Sequence, residues 1–191
     1  MAPTVLPVFT VGHSTRSIPE FVHLLQAGDV RLVVDIRRIP RSRTNPQYNL
    51  DRLPAELAPY RIAHQRIAEL GGLRKKSNAP DDVNAFWTNA AFRNYANYAF
   101  SEEFRTGFSR LLDVATTERT AIMCAESVWW RCHRRIVADY LLCAGRPVFH
   151  LMNRDDADPA RPSDGAICAA DGVHYPVTGS ARTSVSFSPA S

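Results

Sequence analysis

The chain has 191 residues, a length that favours one domain and is sufficient to bury a hydrophobic core. Hydrophobic residues make up 45% and charged residues 22%, as in ordinary globular proteins. No apolar stretch approaches the roughly 18 residues that a transmembrane helix requires. The first residues also lack the basic start and apolar run of a signal peptide. These observations predict a cytoplasmic protein with no membrane partner.

The four cysteines are few for a disulfide framework in a chain of this length, and we therefore expect all of them to be reduced thiols. They are Cys124, Cys132, Cys143 and Cys168. The formal net charge is +4, and the positive charge is concentrated before residue 153. A modestly basic domain is compatible with an anionic small molecule or a nucleic acid as partner. The sequence gives no indication of the oligomeric state.

Short apolar runs rich in β-forming residues alternate with longer amphipathic segments, a pattern typical of a parallel sheet flanked by helices. The predicted strands are residues 6–12, 31–37, 61–67, 120–124 and 147–152. The predicted helices are residues 17–28, 50–57, 90–99, 101–116 and 130–144. Ser17 and Glu20 have the spacing of a capping box at the first helix, and Ser101 is the expected N-cap of the fourth.

We predict a single α/β domain over residues 1–152, with a mostly parallel sheet of about five strands flanked by helices. Residues 153–191 are predicted to be a polar, partly flexible C-terminal extension, because the composition changes there to Asp, Ala, Pro, Ser and Gly. Within this extension, residues 166–177 are compatible with a hairpin. Residues 180–191 are predicted to be a flexible tail.

Polar side chains follow several of the predicted strands, at the sheet edge where ligands of parallel α/β proteins bind. Cys124 and Glu126 end the fourth strand, and His13 follows the first. A cysteine before a turn and a helix can have a lowered pKa, and its thiolate is then a nucleophile. We predict an enzyme with Cys124 as nucleophile or redox thiol and Glu126 or His13 as acid/base. The alternative for Cys124 is a packing role at the end of a buried strand.

Five arginines near the same edge are predicted to bind anionic oxygens of the substrate, since guanidinium groups pair bidentately with phosphate and carboxylate. They are Arg16, Arg37, Arg38, Arg131 and Arg134. The predicted substrate therefore carries a phosphate or contains a nucleobase.

The helix predicted from Trp130 places Cys132 on its apolar face and His133 at the edge of that face, which favours packing roles for both. Cys124, Cys132, His133 and His13 are residue types that bind zinc, but the C-x7-C-H spacing is not a standard zinc pattern. The sequence leaves metal binding open. No P-loop and no GxGxxG motif is present, so no cofactor is expected.

Residues 37–43 include four arginines, which fits contact with a phosphate backbone, and Tyr48 and Trp87 are candidates for stacking on a base. This pattern supports an alternative, a non-catalytic module that binds nucleic acid or a nucleotide. In a third interpretation the cysteines pack in the core and the arginines form ion pairs in an interaction domain.

Four ordered motifs carry a resemblance to a known family. They are VGHSTRS at 11–17, VDIRRIPRS at 34–42, ELGG at 69–72, and MCAE followed by WRCHR within 123–134. Together they resemble the bacterial and archaeal family catalogued as domain of unknown function 488, over about residues 8–152. The resemblance implies an α/β domain and no established reaction.

Overall fold

The structure is a computed structural model, and it describes residues 5–76, 83–152 and 156–177. Six of its strands form one sheet. These are β1 (Val8–Gly12), β2 (Leu32–Asp35), β3 (Ala63–Arg66), β4 (Thr120–Cys124), β5 (Val148–Leu151) and β6 (Ala157–Pro159). Their order is β3-β2-β4-β1-β5-β6. The first five strands run parallel and β6 pairs antiparallel with β5, so the predicted mostly parallel sheet in a single α/β domain is confirmed.

Helices cover both faces of the sheet because side chains of successive strand residues point to opposite sides. The helices are α1 (Ile18–Ala27), α2 (Leu53–Leu57), α3 (Ala90–Tyr98), α4 (Glu102–Thr117) and α5 (Arg134–Cys143). On one face, α1 and α2 pack on strand residues such as Phe9 and Val33. On the other, α3, α4 and α5 pack on residues such as Val34 and Ile122. Among the described residues, no helix is both long and apolar enough to cross a membrane.

Two helix starts follow the predicted capping chemistry. At α1, Glu20 N donates to Ser17 Oγ and Ser17 N donates to Glu20 Oε2, which completes the predicted capping box. At α4, Phe104 N donates to Ser101 Oγ at 3.2 Å. These bonds satisfy amides that have no partner within the helix itself.

The last helix begins later than predicted. Residues Trp129–Arg131 form a 3₁₀ turn, Cys132 has an extended backbone, and α5 starts only at Arg134. Trp129 stacks on His150 of β5, with ring centroids 4.1 Å apart, and this contact holds the turn across the sheet edge. The predicted helical phase of Cys132 and His133 is therefore wrong, although Cys132 is buried as expected.

The described part of the C-terminal extension packs on the domain. The predicted hairpin is confirmed, with β7 (Ile167–Ala169) antiparallel to β8 (Gly172–His174). Tyr175 is fully buried, and its hydroxyl donates to Asp139 Oδ2 at 2.9 Å. The strand β6 was not predicted, because Ala157-Asp158-Pro159 lacks the apolar pattern of a strand. The predicted tail at 180–191 lies outside the described residues.

A disulfide joins Cys143 on α5 to Cys168 on β7. The expectation that all four cysteines are reduced thiols is wrong for this pair, because the argument counted cysteines and could not foresee that the hairpin returns to α5. The free thiols are Cys124 and Cys132.

Candidate functional site

The sheet order brings the carboxyl ends of β2, β4 and β1 next to one another. The chain leaves β1 and β2 toward helices on one face, and it leaves β4 toward α5 on the other face. Such a reversal opens a crevice beyond the strand ends, where α/β proteins bind ligands. The structure thus places the ends of these strands at a single location.

A pocket of about 720 Å³ occupies this crevice. Its lining includes His13, Ser14, Arg37, Arg38, Ile39, Arg41, Gly72, Leu73, Phe92, Tyr95, Cys124, Glu126, Arg131, Cys132 and His133. Of the eight residues predicted for the site, Cys124, Glu126, His13, Arg37, Arg38 and Arg131 line it. Arg16 and Arg134 do not.

The ends of β1 and β4 are locked together at Gly12. The ladder continues past the strands, with His13 N donating to Cys124 O and Ser14 N to Ala125 O, both at 3.0 Å. A Cβ at Gly12 would overlap the carbonyl oxygen of Glu126, so only glycine fits there. This close approach fixes the path of the chain after Cys124 and positions the Glu126 backbone.

Arg37 belongs to a buried network rather than to the free wall of the pocket. Its guanidinium donates from Nε and Nη2 to the two carboxylate oxygens of Asp35, at 2.9 and 2.6 Å. Nη2 also donates to Tyr48 O at 2.6 Å, and Nη1 lies 3.2 Å from His13 Nε2. Burial acts to raise the pKa of Asp35, but the hydrogen bonds from Arg37 outweigh it and lower the pKa below 3.8.

His13 is held in one tautomer by its two neighbours. Arg37 can only donate, so His13 Nε2 accepts, and Nδ1 donates to Ser14 O at 2.8 Å. Burial, with a contribution from the charge of Arg37, lowers the pKa of His13 to about 4. The ring stacks on Tyr48 with centroids 4.1 Å apart. Both ring nitrogens of His13 are thus engaged in contacts within the protein, and its acid/base role stays a prediction.

Two further arginines predicted to bind substrate are instead bound to the protein. Arg16 Nη1 donates to Gly12 O at 2.7 Å and Nη2 to Met152 O at 3.4 Å, so it joins the ends of β1 and β5. Arg134, the second of these predicted substrate-binding residues, is only 1% exposed. Its Nη2 donates to Glu126 O and its Nε donates to Cys132 Sγ at 3.4 Å. Arg134 therefore fixes the loop between β4 and α5.

The two free thiols meet beside His133 at the floor of the pocket. The sulfurs of Cys124 and Cys132 and a ring nitrogen of His133 all lie within 4.8 Å of one another. Cys124 ends β4, whereas Cys132 and His133 precede α5, so the two crossing chain segments assemble the group. These three residues carry the donor atoms that a thiophilic metal ion requires.

The environment distinguishes the two thiols. The hydrogen bond to Cys132, together with burial, raises the pKa of Cys124 well above its usual value. Burial also acts to raise the pKa of Cys132, but the hydrogen bond from Cys124 and the neighbouring His133 and Arg134 outweigh it and lower the pKa well below its usual value. Cys132, which the sequence assigned to packing, is the thiol that contacts both His133 and Arg134.

The exposed wall of the pocket carries Arg38, Arg41 and Arg131 with the carboxylate of Glu126. Glu126 Oε1 accepts a hydrogen bond from Ser127 Oγ at 3.3 Å. Tyr48 and Trp87, the predicted base-stacking residues, are 0% and 5% exposed and belong to the core. Phe92 and Leu73 provide the apolar surface of the pocket instead, and no pattern in the sequence distinguished them from ordinary helix and loop residues.

These features define an α/β domain protein with a thiol-containing polar pocket at the carboxyl edge of a parallel sheet. The chain belongs to the family described as Domain of unknown function DUF488, whose model matches residues 17–141. The resemblance inferred from the motifs is thereby confirmed over a range shorter at both ends than 8–152. No curated protein and no solved structure matches the chain.

Proposed function

We propose that the protein is an enzyme that acts on a phosphate-bearing substrate. Its anionic oxygens would bind Arg38, Arg41 and Arg131, and the reaction would take place at the thiols of Cys124 and Cys132. One observation carries the proposal: the pocket that contains both free thiols is also lined by three exposed arginines.

The state of these arginines supports an anionic ligand. Within the described part of the chain, the guanidinium groups of Arg38, Arg41 and Arg131 make no hydrogen bond or ion pair to the protein. Their donors are therefore available, in contrast to those of Arg16, Arg37 and Arg134. Arginine forks bind phosphate oxygens in pairs, with charge-assisted hydrogen bonds.

The remainder of the pocket supports a substrate larger than inorganic phosphate. A volume of about 720 Å³ is of the size that holds a small organic ligand. Phe92 and the 76% exposed Leu73 line the same pocket as the arginines and offer apolar contacts. A nucleotide, with a charged phosphate and a flat apolar base, has both kinds of surface. Glu126, as the exposed carboxylate on the pocket, is the proposed acid/base.

The proposal predicts that AMP binds and adenosine does not, because the phosphate supplies the contacts to the arginines. Substitution of both Arg38 and Arg131 by Gln should weaken AMP binding at least about 10-fold, as expected for loss of charge-assisted hydrogen bonds. Isothermal titration calorimetry measures the affinity of the wild type for AMP and adenosine and that of the double variant for AMP. The matched control is Arg52→Gln, an exposed arginine outside the pocket. Equal affinity for AMP and adenosine, or an equal effect of the control, contradicts the proposal.

Involvement of the thiols in turnover is tested separately. A panel of nucleotides is incubated with the protein, and the products are separated by chromatography. Cys124→Ser and Cys132→Ser should each abolish turnover while leaving AMP affinity within about twofold, since the Cys132 sulfur bonds His133 and Arg134 rather than the proposed phosphate-binding arginines. Turnover that persists in both variants contradicts a reaction at the thiols.

The non-catalytic nucleic-acid module is the competing function. The run of four arginines at residues 37–43 suggested this module. Arg37 of this run is buried, and Arg38 and Arg41 line the pocket with it, whereas Arg43 is not among the residues that line the pocket. Two results together would favour the module. An oligonucleotide would bind tightly with an affinity that falls steeply with salt, and Arg43→Gln and Arg38→Gln would weaken this binding equally.

The cytoplasmic location remains a prediction, and the disulfide between Cys143 and Cys168 is of a kind more common in oxidising compartments.

A further inference from the structure

One pair of donor atoms at the floor of the pocket has the separation of two ligands in a tetrahedral metal site, and the third donor lies close to both. Zinc bonds of about 2.3 Å to sulfur and about 2.0–2.1 Å to nitrogen set an S···N separation of about 3.6 Å at tetrahedral angles. Cys132 Sγ and His133 Nδ1 are 3.6 Å apart. Cys124 Sγ completes the triangle, with all three atoms within 4.8 Å of one another.

His133 is oriented as metal-binding histidines are. Its Nε2 lies 3.3 Å from Ile36 O, and a carbonyl can only accept, so Nε2 carries the proton. The lone pair of Nδ1 then faces the sulfurs. Histidines that bind a metal ion almost always donate their other ring N–H to a carbonyl or carboxylate in this way. Gly72 lies against the ring, where a Cβ would come within 2.7 Å of Nδ1, and the ring thus has a fixed position.

Arg134 places a positive charge and a hydrogen-bond donor beside the thiol of Cys132. Its Nε donates to Cys132 Sγ at 3.4 Å, and its Nη2 fixes the carbonyl of Glu126 at the other side of the group. Arg134 is buried and held at both ends, so it acts on the ligands without entering the coordination sphere. Hydrogen bonds to ligand atoms from such outer residues orient the ligands and raise metal affinity.

We propose that Cys124, Cys132 and His133 bind a thiophilic divalent metal ion, zinc being the best match, with an open fourth position that faces the pocket. The described residues place three such ligands in the group, and sites with three protein ligands hold water or substrate at the fourth position. The metal would activate this water beside Glu126. The metal site itself stands without the proposed function, whereas its role as the reaction centre rests on it.

The test uses the full chain, reduced under anaerobic conditions, with Co²⁺ as a spectroscopic substitute for Zn²⁺. One equivalent of Co²⁺ should give the intense visible bands of tetrahedral cobalt and a thiolate-to-metal charge-transfer band. Zn²⁺ should displace it with one-to-one stoichiometry. The control is the Cys143→Ser/Cys168→Ser double variant, which removes the competing sulfurs and should keep the spectrum.

Loss of a ligand should weaken metal binding at least about 100-fold in Cys124→Ser, Cys132→Ser and His133→Ala, because each removes a metal bond. Arg134→Lys keeps the charge and loses the guanidinium geometry, and it should weaken binding about 10-fold. Cys124 is at the end of its strand and only half-buried, so Cys124→Ser is the variant least disruptive to folding. Circular dichroism and melting temperature verify the fold of each variant.

Two results would overturn the site: no tetrahedral cobalt spectrum, or a Zn²⁺ affinity that is unchanged in the ligand variants. AMP titrations separate this proposal from the function above. Retained AMP affinity without any metal binding rejects the metal site alone. A cobalt spectrum without AMP binding rejects the phosphate-bearing substrate alone.

Discussion

Among single residues, two buried histidines make the stability of the protein depend on pH. His13 bonds Ser14 and Arg37, and His150 lies 2.8 Å from Thr10 Oγ1. Burial is the main cause that lowers the pKa of each to about 4. Both histidines are therefore neutral in the folded chain at neutral pH and take up protons on unfolding.

The sign of the pH dependence follows from these values. An unfolded histidine titrates near 6.5, so below that pH the unfolded state binds more protons than the folded state. The stability contributed by the neutral, buried histidines is fully present above pH 6.5, and it is lost as the pH decreases toward 4. Each histidine contributes up to about 1.4 kcal/mol per pH unit across this range.

We predict that His150→Gln makes the loss of stability between pH 6.5 and 4 shallower, because one of the two buried histidines that bind a proton on unfolding is removed. Urea unfolding at a series of pH values measures the slope. His23→Gln changes an exposed histidine and serves as control. A slope in His150→Gln equal to that of the wild type would refute the assignment.

The buried ion pair of Asp35 and Arg37 is the second prediction at this scale. Asp35→Asn leaves Arg37 buried without its carboxylate and should lower the free energy of unfolding by about 3–5 kcal/mol. Asp29→Asn breaks the exposed pair with Arg31 and should lower it by less than about 1 kcal/mol. Similar losses for the two variants, measured by urea denaturation, would show that the buried network contributes no more than a surface pair.

At the scale of elements, the loop between β4 and α5 determines the site. The apolar spacing of the segment after Trp130 matches a helix. However, Trp129 stacks on His150, and Arg134 donates a hydrogen bond to the carbonyl oxygen of Glu126. The chain therefore stays extended at Cys132 and turns its sulfur toward Cys124. Periodicity could not reveal this, because tertiary contacts of two side chains override the local helical preference.

The disulfide between α5 and β7 tethers the terminal hairpin to the domain. The Cys143→Ser/Cys168→Ser variant should lose about 3 kcal/mol of stability, because the unfolded chain regains the entropy of a loop of 25 residues. Thermal unfolding with and without reductant measures this. In the variant, reductant should have no effect on the melting temperature. A wild-type chain insensitive to reductant would contradict a stabilising bond.

For the whole molecule, the sequence predicted the architecture better than the site. Apolar runs and caps located the five parallel strands and the five helices, since burial of regular faces leaves a periodic pattern. Such a pattern says nothing about where a long polar side chain ends. Arg16, Arg37 and Arg134 all reach backbone carbonyls inside the protein, whereas Arg38 and Arg131 face the pocket. Only their tertiary partners separate the two groups.

The position of β1 between β4 and β5 has a consequence for synthesis of the chain. The partner strands begin at residues 120 and 148, so β1 leaves the ribosome long before either neighbour exists. At about 5–20 residues per second, this delay lasts roughly 5 to 30 seconds. Throughout it Val8, Phe9 and Val11 have no partner strand, so the backbone hydrogen bonds of β1 can form only after β4 and β5 have been made.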